Sequence, residues 1–76
     1  MKFAEMMQAS IESLGEHYRG IRKLALNNSK LAQNGYFTRT NHKLLNQMEY
    51  LMRQINMVET ACKKRNIPLS QLLEEN

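Results

Sequence analysis

The sequence predicts an all-α fold: an antiparallel helical hairpin of two long helices, plus a short C-terminal helix. Three observations carry that reading. Apolar residues return every three or four positions through two long stretches. One strong turn signal, Asn34-Gly35, separates those stretches. The single Pro of the 76 residues, Pro68, follows the second stretch and interrupts neither.

The first helix is expected over about 3–33. Ala4, Met7, Ile11, Leu14, Tyr18, Ile21, Ala25, Asn28 and Ala32 alternate three- and four-residue steps, a coiled-coil rhythm. Met6, Leu24 and Leu31 widen the stripe. Gly15 and Gly20 lie inside the helix, each costing roughly 1 kcal/mol against Ala, and suit either a close neighbour or a bend. Asn34-Gly35 ends the helix, since glycine accepts positive φ, and a turn over 34–40 follows.

The second helix is expected over about 41–65, with Thr40 or Asn41 as its N-cap. Leu44, Met48, Leu51, Ile55, Val58 and Cys62 repeat the spacing. Lys63, Lys64 and Arg65 sit in its last turn, where cations favour the helix dipole. Pro68 then opens a short helix over about 68–74 with Leu69, Leu72 and Leu73 on its apolar side.

Met7, Ile11, Leu14, Tyr18, Ile21 and Leu24 of the first helix and Leu44, Met48, Leu51, Ile55 and Val58 of the second form the expected core and dimer seam. Two helices bury one seam each, a thin core against about 1.5 kcal/mol of ordering entropy per residue. A stripe this broad wants more than one neighbour. The expectation is therefore a homodimer closing a four-helix bundle, with the C-terminal helix folded over the hairpin as the competing solution.

Three polar or weakly polar groups fall on the apolar side. Asn28 interrupts the stripe, as register-setting asparagines do. Glu59, if buried, needs a partner, and a turn near Phe37 brings it towards Gly15 and Tyr18, and Asn28 towards Asn46. His17 or Tyr18 is the expected partner of Glu59. Cys62 is the one cysteine, which excludes an intrachain disulfide and reads as a small buried hydrophobe in a reducing, cytoplasmic setting.

Composition bounds the function. With 42% apolar residues and 76 residues in all, the chain makes one domain, 1–76, and neither a two-domain enzyme nor a disordered tail. No apolar run is long enough to span a membrane, and Met1 to Glu5 does not read as a signal peptide. No nucleophile has its own base, and no metal-ligand spacing or glycine-rich phosphate loop is present. The expectation is no enzyme, no cofactor, no small-molecule substrate and no membrane partner.

What remains is contact chemistry. The chain carries a formal +4, yet residues 17–65 hold ten basic side chains against Glu49 and Glu59, a local +8 between acidic ends. Arg19, Lys23 and Lys30 run along the outer face of the first helix, with Glu16 spaced to pair with Arg19, and Arg39 and Lys43 continue the line beside Tyr36 and Phe37. Cations interleaved with aromatics suit phosphates and stacked bases. Tyr50 and Met57, with Ala61, cluster away from the seam as a candidate second interface, where a twin or the C-terminal helix would dock. The favoured reading is a non-catalytic regulatory or adaptor protein acting through helix–helix contact with a protein partner, as a homodimer. The alternative is a small basic nucleic-acid-binding regulator.

Overall fold

The computed structural model describes residues 1–33 and 42–74, and within them every side chain but those of residues 32, 33, 42 and 44. All secondary structure among the described residues is helical: α1 over Phe3–Gln8, α2 over Ile11–Gln33, α3 over His42–Arg65 and α4 over Leu69–Leu73. The expected turn over 34–40, the Asn34-Gly35 stop and the cap at Thr40 or Asn41 lie outside the described residues. So do Tyr36, Phe37, Arg39 and the side chain of Leu44.

The single helix expected over 3–33 is two. Ala9 leaves helical geometry at φ −67° and ψ 151°. Ser10 then caps α2: its Oγ accepts the Ser13 N–H at 3.1 Å, and its carbonyl accepts the Leu14 N–H at 2.9 Å. A serine side chain offers the backbone this alternative to an uninterrupted helix. The kink frees α1 to fold onto α3. Its start is held by the Glu5 carboxylate, which accepts the Lys2 N–H at 3.3 Å, and by Lys64, whose Nζ lies 5.6 Å from the Phe3 ring centre. Its end is held by Arg65, whose Nη1 donates to the carbonyls of Met6 and Ala9, each at 2.8 Å. Those carbonyls have no partner within so short a helix.

At the end of α3 the chain turns on Asn66, which adopts φ 59°. The Ile67 N–H reaches the Cys62 carbonyl at 2.9 Å and the Asn66 N–H reaches that of Lys63 at 3.4 Å, the two bonds of a Schellman ending. Asparagine is the usual substitute for glycine at such a left-handed position. The turn sends Pro68, the N-cap of α4, back towards α2. There Leu72 is fully buried. Arg19 repeats the device of Arg65: its Nη1 donates to the carbonyls of Leu72 at 2.8 Å and Glu74 at 3.3 Å. The expected Glu16–Arg19 pairing is therefore replaced by a cap on α4, which leaves the Arg19 cation facing carbonyl oxygens.

Gly15 explains how α4 comes so close. A Cβ there would lie 3.0 Å from Arg19 Nη1 and 3.2 Å from the Leu72 carbonyl oxygen. The bare backbone leaves the path open along which the guanidinium reaches α4. Gly20 has nothing within 4 Å of the same construction, so the two glycines answer differently the question the sequence left open.

Between α2 and α3 the packing is antiparallel. Leu14, Tyr18, Ile21, Leu51 and Val58 of the expected seam are buried, and Met7, Met48 and Ile55 are half-buried. Ile11 and Leu24 depart from it, at 38% and 47% exposed. Once α1 breaks away, Ile11 begins a new helix at the rim, and Met6 takes the buried place in α1 beside half-buried Met7. Ala61, Cys62 and Leu72 complete the core. Ala61 and Met57 were expected to face away from the seam under a twin or α4. Instead Ala61 is fully buried and Met57 packs on the core. The helix packed on α3 is α1, while α4 packs on α2.

Candidate functional site

Three polar contacts cross the α2–α3 seam and fix its register. Tyr18 donates its hydroxyl proton to Glu59 Oε1 at 3.2 Å and accepts from Arg22 Nη1 at 3.2 Å, while the Arg22 guanidinium lies 5.4 Å from the Tyr18 ring centre. His17 Nε2 meets Gln54 Oε1 at 3.0 Å. Asn28 Nδ2 donates to Gln47 Oε1 at 3.1 Å. Glu59 thus finds Tyr18 as expected, and Asn28 meets the residue next to Asn46. Every buried side-chain nitrogen and oxygen among the described residues has a partner, so the polar seam holds the two helices in register without an unpaired buried group.

Among the described residues, no three His, Cys, Asp or Glu side chains come together. Cys62 is buried, and that burial pushes its thiol up from its ordinary value; the Arg65 cation opposes the rise and Glu59 adds to it. A buried thiol held protonated is a packing group. No helix among the described residues is long and apolar enough to cross a membrane.

The surface is more informative. Helical geometry, at about 100° per residue, sorts the hairpin into two flanks. On the first, His17, Leu24 and Leu31 lie seven residues apart on α2 and join Tyr50, Gln54 and Met57 on α3 across the His17–Gln54 contact. On the second, Arg22 and Leu26 of α2 border Ile55 of α3. There α3 continues through Met52, Met48 and Leu45, which line a shallow groove with Glu49, Arg53 and Asn56.

Among the described residues, each flank is covered over one half only. The first passes under α1 near Ala61 and Arg65, and the second under α4 near Gly15 and Arg19. Towards the other end, where α2 stops and α3 starts, no further described element packs on either. Leu24 is 47% exposed, Leu26 57%, Tyr50 50% and Met52 50%, with Leu31 and Leu45 close behind. Burying such a side chain fully is worth about 1.5–3 kcal/mol, so this end leaves a large apolar contribution unused.

The candidate nucleic-acid contacts divide. Lys23, Lys30 and Lys43 are exposed, Arg19 is half-buried against α4, and Arg39, Tyr36 and Phe37 lie outside the described residues. Of the candidate second interface, Tyr50 is exposed and Met57 is largely taken up by the core. Leu45 and Met52 stand in the sequence alongside the expected seam positions Met48 and Ile55, and the four together, at steps of three, four and three, make a helical contact pattern of their own. No protein-family model matches the chain, and neither a curated protein nor a solved structure shows significant similarity to it.

Proposed function

We propose that this protein is a non-catalytic adaptor that works through helix–helix contact, and that it acts as a homodimer. The observation that supports the reading is the hairpin end where α2 stops and α3 starts: among the described residues six large apolar side chains are exposed there, Leu24, Leu31 and Tyr50 on the first flank and Leu26, Leu45 and Met52 on the second, against Ile11 and Leu73 at the opposite end. Stable monomers rarely leave contiguous apolar surface of this kind without a partner.

The twin is assigned to the first flank. Gly20, Leu24, Asn27 and Leu31 repeat steps of four, three and four along α2, a second seam beside the core one. Gly20 sits exposed with open space around it, so a second helix can approach its backbone closely. Lys43, seven residues before Tyr50, is the charge on this line, which keeps self-repulsion low. Closing two hairpins this way gives a four-helix bundle, the arrangement whose geometry such seams favour.

Sedimentation equilibrium tests it. The expected result is a mass of twice the chain, and a monomer for Leu24→Asp with helical circular dichroism unchanged. Wild-type protein that stays monomeric across the concentration range removes the twin.

Nucleic-acid binding is the second reading, supported by exposed Lys23, Lys30 and Lys43 in a basic middle region. It requires affinity that falls steeply with salt. A gel shift with duplex and single-stranded DNA at two salt concentrations checks it, and absence of a shift at low salt eliminates it.

A further inference from the structure

We propose that the groove on the second flank is a docking site for an amphipathic helix with acidic edges, supplied by a different protein. The proposal rests on the adaptor reading and names the chemistry of its client. The groove joins two hollows that follow one another along α3: Leu45, Met48 and Met52 line the first, and Ile55 with Leu26 of α2 lines the second. Leu45, Met52 and Leu26 stand exposed, while Met48 and Ile55 are half-buried. Spacing of three, four and three on the receiving helix matches the apolar edge of an incoming one. Two methionines in the groove supply side chains that re-pack around a guest. From Leu45 to Ile55 the stripe runs about 15 Å, which accommodates about three turns of a partner helix.

Charge decides the occupant. Arg22 and Lys23 border the groove on the α2 side and Arg53 on the α3 side, against Glu49 alone. A second copy bound here through a two-fold axis would set this basic rim against itself. A helix with Glu or Asp along its edges meets the rim with opposite charge and is steered towards it. The twin belongs on the first flank, where the charge is sparse, and the acidic client on the second.

The test uses the full chain and two fluorescein-labelled synthetic peptides of about fourteen residues. Both carry leucines at heptad spacing; one has Glu on its edges and the other Lys. Fluorescence anisotropy is expected to show binding of the Glu peptide and none of the Lys peptide, with affinity falling as salt is raised. Lys23→Glu with Arg53→Glu is expected to weaken the Glu peptide about tenfold or more at low salt. Met52→Asp is expected to abolish binding. All three positions are exposed, and helical circular dichroism confirms that the variants fold. The monomeric Leu24→Asp protein is expected to bind the peptide as well as wild type, which separates this site from the dimer. Equal binding of both peptides, no binding of either, or full binding by Met52→Asp overturns the proposal. So does preferential retention on phosphatidylserine vesicles, or on DNA at low salt, with neither peptide bound.

Discussion

At one end of the hairpin, Met6, Leu14, Tyr18, Val58, Ala61, Cys62 and Leu72 are all sealed. At the other, the same two long helices leave Leu24, Leu26, Leu31, Leu45 and Met52 in water. Composition does not separate the ends, since both carry apolar stripes at helical spacing. What separates them is a third layer. At the closed end α1 lies on α3 and α4 lies on α2, and each short helix is pinned through its C-terminal carbonyls by an arginine from a long one. Two crossed helices bury one seam; adding a helix to each flank converts two half-buried stripes into a core. Among the described residues the open end has the stripes without a third layer, and Arg22, Lys23, Lys30, Lys43 and Arg53 there stand against Glu49. That combination is what a binding surface needs and a core does not.

The sharpest way to break the contrast is to place the same charge at each end. Val58→Asp puts a carboxylate into a fully buried site with no cation provided for it. The expected cost exceeds about 4 kcal/mol, enough to unfold much of a domain this small. Leu26→Asp alters a side chain that is 57% exposed, and is expected to cost less than about 1 kcal/mol. Urea unfolding followed by circular dichroism reads both. Similar losses at the two sites would mean that the open end is part of the core after all.

The closed end was only half legible in the sequence. The long helices, their register to within a residue or two and the Tyr18–Glu59 contact follow from periodicity, because spacing fixes which side chains share a face. Pro68 and the leucines after it announce α4 for the same reason. The break at Ser10 does not show, since one serine after an alanine carries no turn signal of its own, and helical spacing continues on both sides. Missing the break hides α1 as a separate element and with it the role of Arg65. In sequence that residue is one of three cations at a helix end; in space it bonds carbonyls 56 and 59 residues away. Of the open end, Leu24 and Leu31 follow from the sequence as surplus stripe, whereas Leu26 falls there on the outer basic face, and the groove along Leu45 to Ile55 depends on how α2 is rotated against α3, which single-helix periodicity does not specify.

A smaller effect sharpens the account of the covers themselves. Arg65→Ala removes both bonds to the end of α1, and Arg19→Ala removes both to the end of α4. Charged donors to carbonyls that are otherwise unpaired are worth about 1.5–3 kcal/mol. Each variant is expected to loosen its own short helix first. Amide hydrogen exchange is expected to quicken in α1 for Arg65→Ala and in α4 for Arg19→Ala, with the middle of α2 and α3 protected in both. Uniform loss of protection would show that the covers and the hairpin unfold as one unit rather than as layers.

The glycines of α2 give the smallest effect and the cleanest sign. Alanine is favoured over glycine within a helix by roughly 1 kcal/mol wherever space allows. At Gly20, with nothing within 4 Å of the added carbon in the single chain, the full gain is expected in the monomeric Leu24→Asp background, where no twin approaches this backbone, a rise of a few degrees in Tm for a chain of this size. At Gly15 the same methyl meets the Leu72 carbonyl oxygen at 3.2 Å and the Arg19 guanidinium at 3.0 Å. The guanidinium can swing aside only by surrendering its bond to that same carbonyl, so the substitution opposes α4 docking from both partners at once. In that monomeric background Gly15→Ala is therefore expected to lower Tm while Gly20→Ala raises it, although both lie on one helix five residues apart. If Gly15→Ala also stabilises, the approach of α4 to α2 is looser than the contacts at Leu72 require, and the closed end loses one of its two covers.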